Sequence, residues 1–251
     1  MKKNQTSLLR IGTAGWNIPS ALASAFPAQG QHLARYAAEM NAVEINSSFY
    51  RSHQQKTYAR WASVSPPDFR FAVKLPRSIS HFSKLQNVAQ PLGQFLDEIA
   101  GLEGKLGPIL VQLPPSLTFD TTVAGDFFGM LREQHSTAVV CEPRHASWFE
   151  PEAQIVLVAH HIGQVAADPV KNAAAARPGG WIGRSKAGRG STVYLRLHGS
   201  PRMYWSSYEH NQLRKWREQL AEYHEAEAWC IFDNTAAGAA LQNALEFKSM
   251  G

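Results

Sequence analysis

Cysteine is almost missing from this chain: Cys141 and Cys230 are its two, far apart and each inside an apolar, strand-like run. Two such thiols point to buried thiols in a reducing compartment rather than to a disulfide framework or a metal knuckle. Long apolar runs are missing too, and none approaches the ~18 residues of a membrane span. The opening MKKNQTSLLRIGTAGW carries two lysines, but Arg10 and Gly12 break the apolar patch too soon for a signal-peptide core. A cytoplasmic location away from membranes is the expectation. GxGxxG, Walker and CxxC patterns are also absent, and GRSKAGRG is too irregular for a phosphate loop, which leaves nucleoside-triphosphate chemistry without a basis in the sequence.

What is present is regular. Short apolar or β-branched runs alternate with longer helical patterns: LLRIGT then QHLARYAAEM, AVEIN then QKTYARWASV, FRFAVKL then PLGQFLDEIAGL, PILVQL then VAGDFFGMLREQ. The second half continues with TAVVCEP then PEAQIVLVAHH, GQVAAD, TVYLRLHG then SYEHNQLRKWREQLAEYH, and AWCIFDN then AGAALQNALEF. Strand–helix alternation implies a parallel sheet. Eight units in 251 residues fit an α/β fold of the single (β/α)8 TIM-barrel type, one domain over 1–251, better than an open doubly wound sheet. The sixth unit is irregular. After Asp168, PVKNAAAARPGGWIGRSKAGRGS replaces the crossover helix with Gly, Pro and the basic residues Lys171, Arg177, Arg184, Lys186 and Arg189, with one helical turn expected over residues 171–176. This stretch is expected to act as a lid over the barrel mouth. The formal charge of +5 favours phosphate-bearing partners only where it is clustered.

In a parallel barrel the strand face under the helices is apolar and alternate residues point inward. With Val43 and Ile45 outward, Glu44 and Asn46 turn inward. The same parity turns Lys74, Gln112, Glu142, Arg144, Arg196 and His198 inward, and Asp168 inward opposite Val165 and Ala167. Asp233 and Asn234 have opposite parities, so either could face in. These polar groups gather at the C-terminal ends of the strands, where barrel enzymes build their sites. The mouth then carries Glu44, Glu142 and Asp168 against Lys74, Arg144 and Arg196. A self-satisfied ion-pair network is the competing explanation for such a set.

VEINSSFYR, FRFAVKLPRSISH, LGPILVQLPPS, EPRHASW, YLRLHG and FDNTAAGAA, in this order, resemble the DUF72 or YecE-like family from about Ile11 onward. On its motifs the resemblance singles out Gly12, Thr13, Gly15 and Trp16, then Glu44, Asn46, Phe49 and Tyr50. It further matches Lys74 and His81, Gln112 with Pro114 and Pro115, Glu142, Arg144, Ser147 and Trp148, and Arg196, His198 and Gly199. Ser80 stands where threonine is usual and Asp233 where asparagine is common. The resemblance implies a TIM barrel loosely similar to metal-dependent barrels such as endonuclease IV and xylose isomerase, and it brings no activity with it.

Lysine and arginine together suit a small anionic or phosphate-bearing ligand, and Asn234 opens the last helix as a phosphate contact or, more simply, as an N-cap. Glu44, Glu142, Asp168 and His198 are the candidate catalytic groups for hydrolytic or acid/base chemistry on a phosphate-bearing or nucleotide-like substrate. Asn46, Tyr50, Lys74, His81, Gln112, Arg144, Arg196, Tyr204, Tyr208 and Asn234 are the candidate substrate contacts. Of the aromatic residues near the mouth, Trp16 and Trp148 are expected to pack, and Tyr204 and Tyr208, in the polar loop SPRMYWSSYEH, to meet a ligand. A divalent metal held by the carboxylates and His198 is the less favoured cofactor, because each acid has a basic neighbour. A non-catalytic protein binding nucleic acid or a small anion is the alternative function.

Overall fold

The computed structural model describes residues 9–182 and 191–250. Its strands are β1 (Leu9–Thr13), β2 (Ala42–Ile45), β3 (Arg70–Lys74), β4 (Leu106–Gln112), β5 (Val139–Glu142), β6 (Ile162–Gln164), β7 (Ala166–Asp168), the two-residue β8 (Gly179–Gly180), β9 (Thr192–Leu197) and β10 (Glu227–Phe232). The helices are α1 (His32–Glu39), α2 (Gln55–Ser63), α3 (Ala89–Ile99), α4 (Thr121–Gln134), α5 (Pro151–Ala159), α6 (His210–Ala221) and α7 (Ala239–Ser249). Each falls on a stretch whose periodicity predicts a helix, with α3 and α4 starting two residues earlier and α7 ending two residues later. Capping follows local chemistry: Asp120 accepts from the Val123 N–H to start α4, and Glu209 with Gln212 forms a reciprocal capping box on α6.

Hydrogen bonding orders the strands β1–β10–β9–β7 in one sheet and β2–β3–β4–β5–β6–β8 in the other, all parallel except β6 with β8. The sheets meet at two seams. At one, Ala14 bridges Glu44 and the Gly15 N–H donates to the Glu44 carbonyl at 2.9 Å. At the other, the sixth strand is cut at Val165, its first half β6 pairing with β5 and its second half β7 with β9. The result is an α/β, TIM-barrel-like fold.

The first seam depends on a missing side chain. A Cβ on Gly12 would stand 2.3 Å from the Ala42 carbonyl oxygen, so β1 approaches β2 this closely only with glycine there. Gly12→Ala is expected to cost about 1–3 kcal/mol in urea denaturation as the strands part. Unchanged stability would show that the seam carries no load.

Parity sorts the two cores as the alternation requires. Val43, Phe71, Ile109, Cys141 and Leu195 join the core under the helices. Ala42, Ala72, Leu110, Val140 and Tyr194 form a second cluster filling the barrel, with Trp229 stacked on Tyr194 at 5.9 Å. Large rings facing small alanines fill the interior. Below them Arg10 closes the N-terminal end, its Nε donating to Glu227 at 2.9 Å and its Nη1 to the Asp68 carbonyl at 2.6 Å.

Strand six departs from the expected parity. Val165 lies in the inner cluster and Ala166 in the outer one, so Asp168, which shares the parity of Ala166, faces outward. The break at Val165 resets the pairing partner, and three similar small apolar residues give the sequence no means of showing which way each points. The following segment is also fastened. Gln164 Nε2 donates to the carbonyls of Ala174 at 3.2 Å and Arg177 at 3.3 Å, and Gly180 N–H to Gln154 Oε1 at 3.0 Å. The expected helical turn forms over Ala173–Ala176 as a 3-10 turn. A free lid is therefore not what residues 172–180 form. Arg184, Lys186 and Arg189 lie outside the described residues.

Candidate functional site

Four strand ends converge on one guanidinium. Arg196, fully buried on β9, donates Nε to Glu44 Oε2 at 2.9 Å and Nη2 to Glu44 Oε1 at 2.7 Å, the two-pronged geometry that favours arginine over lysine. Its Nη1 reaches Glu142 Oε2 at 2.7 Å and its Nη2 also reaches Asp233 Oδ2 at 3.1 Å. Tyr194 donates its hydroxyl to Glu44 Oε2 at 3.0 Å, so both oxygens of Glu44 are engaged. The carboxylate in β2 is buried because it holds Arg196 at the barrel axis.

A second tier sits on this one. His198 places Nδ1 3.0 Å from Asp233 Oδ2 and Nε2 2.9 Å from Glu142 Oε1. Arg144 Nη2 lies 2.6 Å from the same Glu142 oxygen and 3.0 Å from His198 Nε2, and Gln112 Nε2 donates to Glu142 Oε2 at 3.0 Å. Nε2 can thus donate to Glu142 or accept from Arg144, so this geometry accommodates either proton arrangement of the imidazole. Burial pushes the Glu142 pKa up, but Arg144, Arg196 and His198 pull it well below the usual carboxylate range. Burial acts the same way on Asp233, where Arg196, His198 and Lys74 outweigh it and hold the pKa down.

The third group is less satisfied. Lys74, at the end of β3, is 4% exposed and has no ion pair or hydrogen bond from its amine among the described residues, its Nζ standing 4.1 Å from the Phe49 ring centre. Burial and the repulsion of Arg196 lower its pKa to about 8 against the pull of Glu44, Asp233 and Glu142. His81 lies edge-on to Phe49 at 4.9 Å on a π-helical turn, Ser78–Phe82, and its Nδ1 meets Ser80 Oγ at 2.9 Å. Burial, then Lys74, Arg144 and Arg77, lower the His81 pKa. Asn46 Oδ1 and Arg144 Nε are buried with no hydrogen-bond partner among the described residues. Such atoms cost stability unless something meets them.

Other expected residues are placed elsewhere. Asp168 accepts from the Tyr208 hydroxyl at 2.8 Å, and that hydroxyl takes the Gly199 N–H at 2.9 Å. Tyr208 is buried, so it and Asp168 brace the loop after β9 and do not join the Arg196 network, contrary to the expected roles. Asn234 does not meet the mouth either, contrary to expectation: it is fully buried and turned outward, its Nδ2 donating to Ser206 O and Asn243 Oδ1, both at 2.9 Å. Asp233, the residue of opposite parity, takes the inward place. Tyr50 is 61% exposed on the rim, and Tyr204 lies edge-on to His198 at 5.7 Å with its outer edge exposed. Trp148 packs as expected, donating its indole N–H to the Leu117 carbonyl at 3.0 Å.

Sequence reasoning passed over a cavity of about 420 Å³ beside Asn46, walled by Trp16, Trp61, His53 and Arg51. Trp16 packs edge-on against Trp61 at 5.1 Å. Trp61 lies on α2, away from every motif, and only its contact with Trp16 reveals it.

The donor set does not suit a metal. The oxygens of Glu44 and Glu142 and one oxygen of Asp233 are aimed at guanidinium or imidazole groups, and the described residues contain no group of three or more His, Cys, Asp or Glu able to hold one. None of the described helices is long and apolar enough to cross a membrane.

Residues 10–251 match the family model described as "Protein of unknown function DUF72". The chain belongs to the DUF72 family. It is 29% identical over 107 residues to the UPF0759 protein YecE of Escherichia coli K12, a match that takes in 43% of this chain and spans 38% of YecE. To YunF of Bacillus subtilis it is 20% identical, with 94% of this chain and 92% of YunF covered. Among solved structures, a DUF72 family protein of Thermotoga maritima superposes with a TM-score of 0.77 at 25% identity, covering 97% of this chain and 98% of that one. A xylose isomerase-like TIM barrel/4-hydroxyphenylpyruvate dioxygenase fusion protein matches at a TM-score of 0.52 and 12% identity over 96% of this chain and 41% of that one, a likeness of fold alone. In this DUF72 protein Glu44, Glu142 and Asp233 gather around Arg196.

Proposed function

We propose that this DUF72 protein is an enzyme that takes a small phosphate-bearing substrate at the barrel mouth and acts on it by acid/base chemistry at the Glu142–His198 pair. The carrying observation is an imbalance across the network. Glu44 and Arg196, fully buried, are saturated with partners, whereas at the strand ends Arg144 Nε and Asn46 Oδ1 have no hydrogen-bond partner among the described residues and the Lys74 amine meets only the Phe49 ring. A purely structural lattice would satisfy its members throughout. Arg144 and Lys74 offer positive charge to an anion, and Glu142 with His198 can hold or release a proton beside it. The ring of a nucleotide-like substrate fits the Trp16–Trp61 cavity, where Asn46 and Arg51 offer polar contacts.

Thermal unfolding with inorganic phosphate and with a nucleoside monophosphate tests this reading. A ligand present at about 100 times its Kd stabilises by about 2.7 kcal/mol, and the wild-type Tm is expected to rise accordingly. Arg144→Gln should abolish that rise while still folding, because Glu142 keeps Arg196, His198 and Gln112. No rise with any phosphate compound, or tight binding of polynucleotide only, would overturn the small-substrate reading.

A further inference from the structure

We propose that Lys74 is a covalent catalytic residue whose amine forms an imine with an aldehyde or ketone group of the substrate. This rests on the reading of a phosphate-bearing ligand at the mouth and names its reactive part.

The geometry is unusual for a lysine. Nearly every buried ammonium is paired, yet Lys74 has no carboxylate oxygen within 4.0 Å and no hydrogen bond from its amine among the described residues, although Glu44, Glu142 and Asp233 occupy the same strand ends. Arg196 outbids it for all three acids with short bonds. The backbone that carries it is fixed: Ser48 Oγ donates to the Lys74 carbonyl at 2.7 Å, and Leu75 N–H donates to the Leu110 carbonyl at 2.9 Å. The Phe49 face covers Nζ from one side. Burial and Arg196 act on the amine against Glu44, Asp233 and Glu142, with His81 on the neighbouring turn, and their balance leaves a share of it neutral near pH 8, the state in which an amine is a nucleophile.

The step balances without any further reagent. The Nζ lone pair attacks the carbonyl carbon, forming the C–N bond and a carbinolamine. Both amine protons then leave with the former carbonyl oxygen as one water molecule, giving the neutral imine. One proton taken up from water makes it an iminium, which acidifies the adjacent C–H bonds. A proton acceptor at Glu142–His198 is what such an intermediate requires next.

Pyridoxal 5′-phosphate, which carries both an aldehyde and a phosphate, is a suitable probe. After brief exposure, borohydride reduction and peptide mapping, the expected result is an adduct at Lys74 formed at least about tenfold faster than at exposed lysines such as Lys56 and Lys215. It should be absent in Lys74→Met and slowed by inorganic phosphate. The labelling rate should rise with pH and level off above about 8. Label spread over exposed lysines with Lys74 unmodified would overturn the proposal, even where phosphate raises the Tm and the anion reading stands. Equal labelling of Lys74 by unphosphorylated pyridoxal, with no competition from phosphate, would sustain the amine and defeat the phosphate reading.

Discussion

Arg196→Met is expected to destabilise the fold by about 3–5 kcal/mol at neutral pH and to flatten the acid limb of its stability curve. Three buried carboxylates lean on this guanidinium, and removing it leaves Glu44 without an ion-pair partner among the described residues and takes one of several from Glu142 and Asp233. In the wild type, Glu142 and Asp233 have folded-state pKa values below those of the unfolded chain. Their contribution is therefore complete above the ordinary carboxylate range and is lost as pH falls through the lower folded values. Without Arg196, Glu142 keeps Arg144 and His198, and Asp233 keeps His198 and Lys74, so burial is opposed by fewer charges and the variant should lose less stability than the wild type as pH falls from 7 toward about 4. Urea titrations across that range read both effects. Adding Glu44→Gln should restore part of the loss, which keeps the test open where the single variant folds poorly. A variant within 1 kcal/mol of wild type at every pH, a margin at the limit of such measurements, would show that the network does not hold the barrel.

Lys74→Met carries the opposite sign. The depression of Lys74 from 10.5 to about 8 is worth about 3 kcal/mol. Because the folded value is the lower one, the cost is present in full below pH 8 and is relieved as pH rises toward 10.5. Methionine keeps the stem and removes the charge, so the variant should be more stable by about that amount at pH 7 and lack the alkaline rise. Greater stability with lost labelling is the pattern of a residue kept for chemistry at the expense of the fold. A destabilised Lys74→Met would show that the ammonium is a structural ion after all.

Most of the inner tier was legible because strands β2, β3, β5 and β9 alternate strongly apolar residues with polar ones, so that Val43 and Ile45 fix the direction of Glu44. Legibility failed where neighbours were alike. Val165, Ala166 and Ala167 carry no contrast, and the cut in strand six turned Asp168 outward. Asp233 and Asn234 are both polar, and only the positions of Trp229 and Ile231 in the inner cluster select Asp233. Tyr208 lies in a loop of polar composition, yet the turn at Gly199, with φ +92°, folds the loop back so that its hydroxyl reaches Asp168. The Trp16–Trp61 cavity depends on a tertiary contact between residues with no shared motif.

The central claim is that the barrel mouth is not self-satisfied, and the titration of the Lys74 ammonium by heteronuclear NMR tests it most directly. The expected midpoint is about 8. A midpoint near or above 10.5, the ordinary value for lysine, would contradict the account, because a buried amine without an acid partner cannot keep its ordinary value.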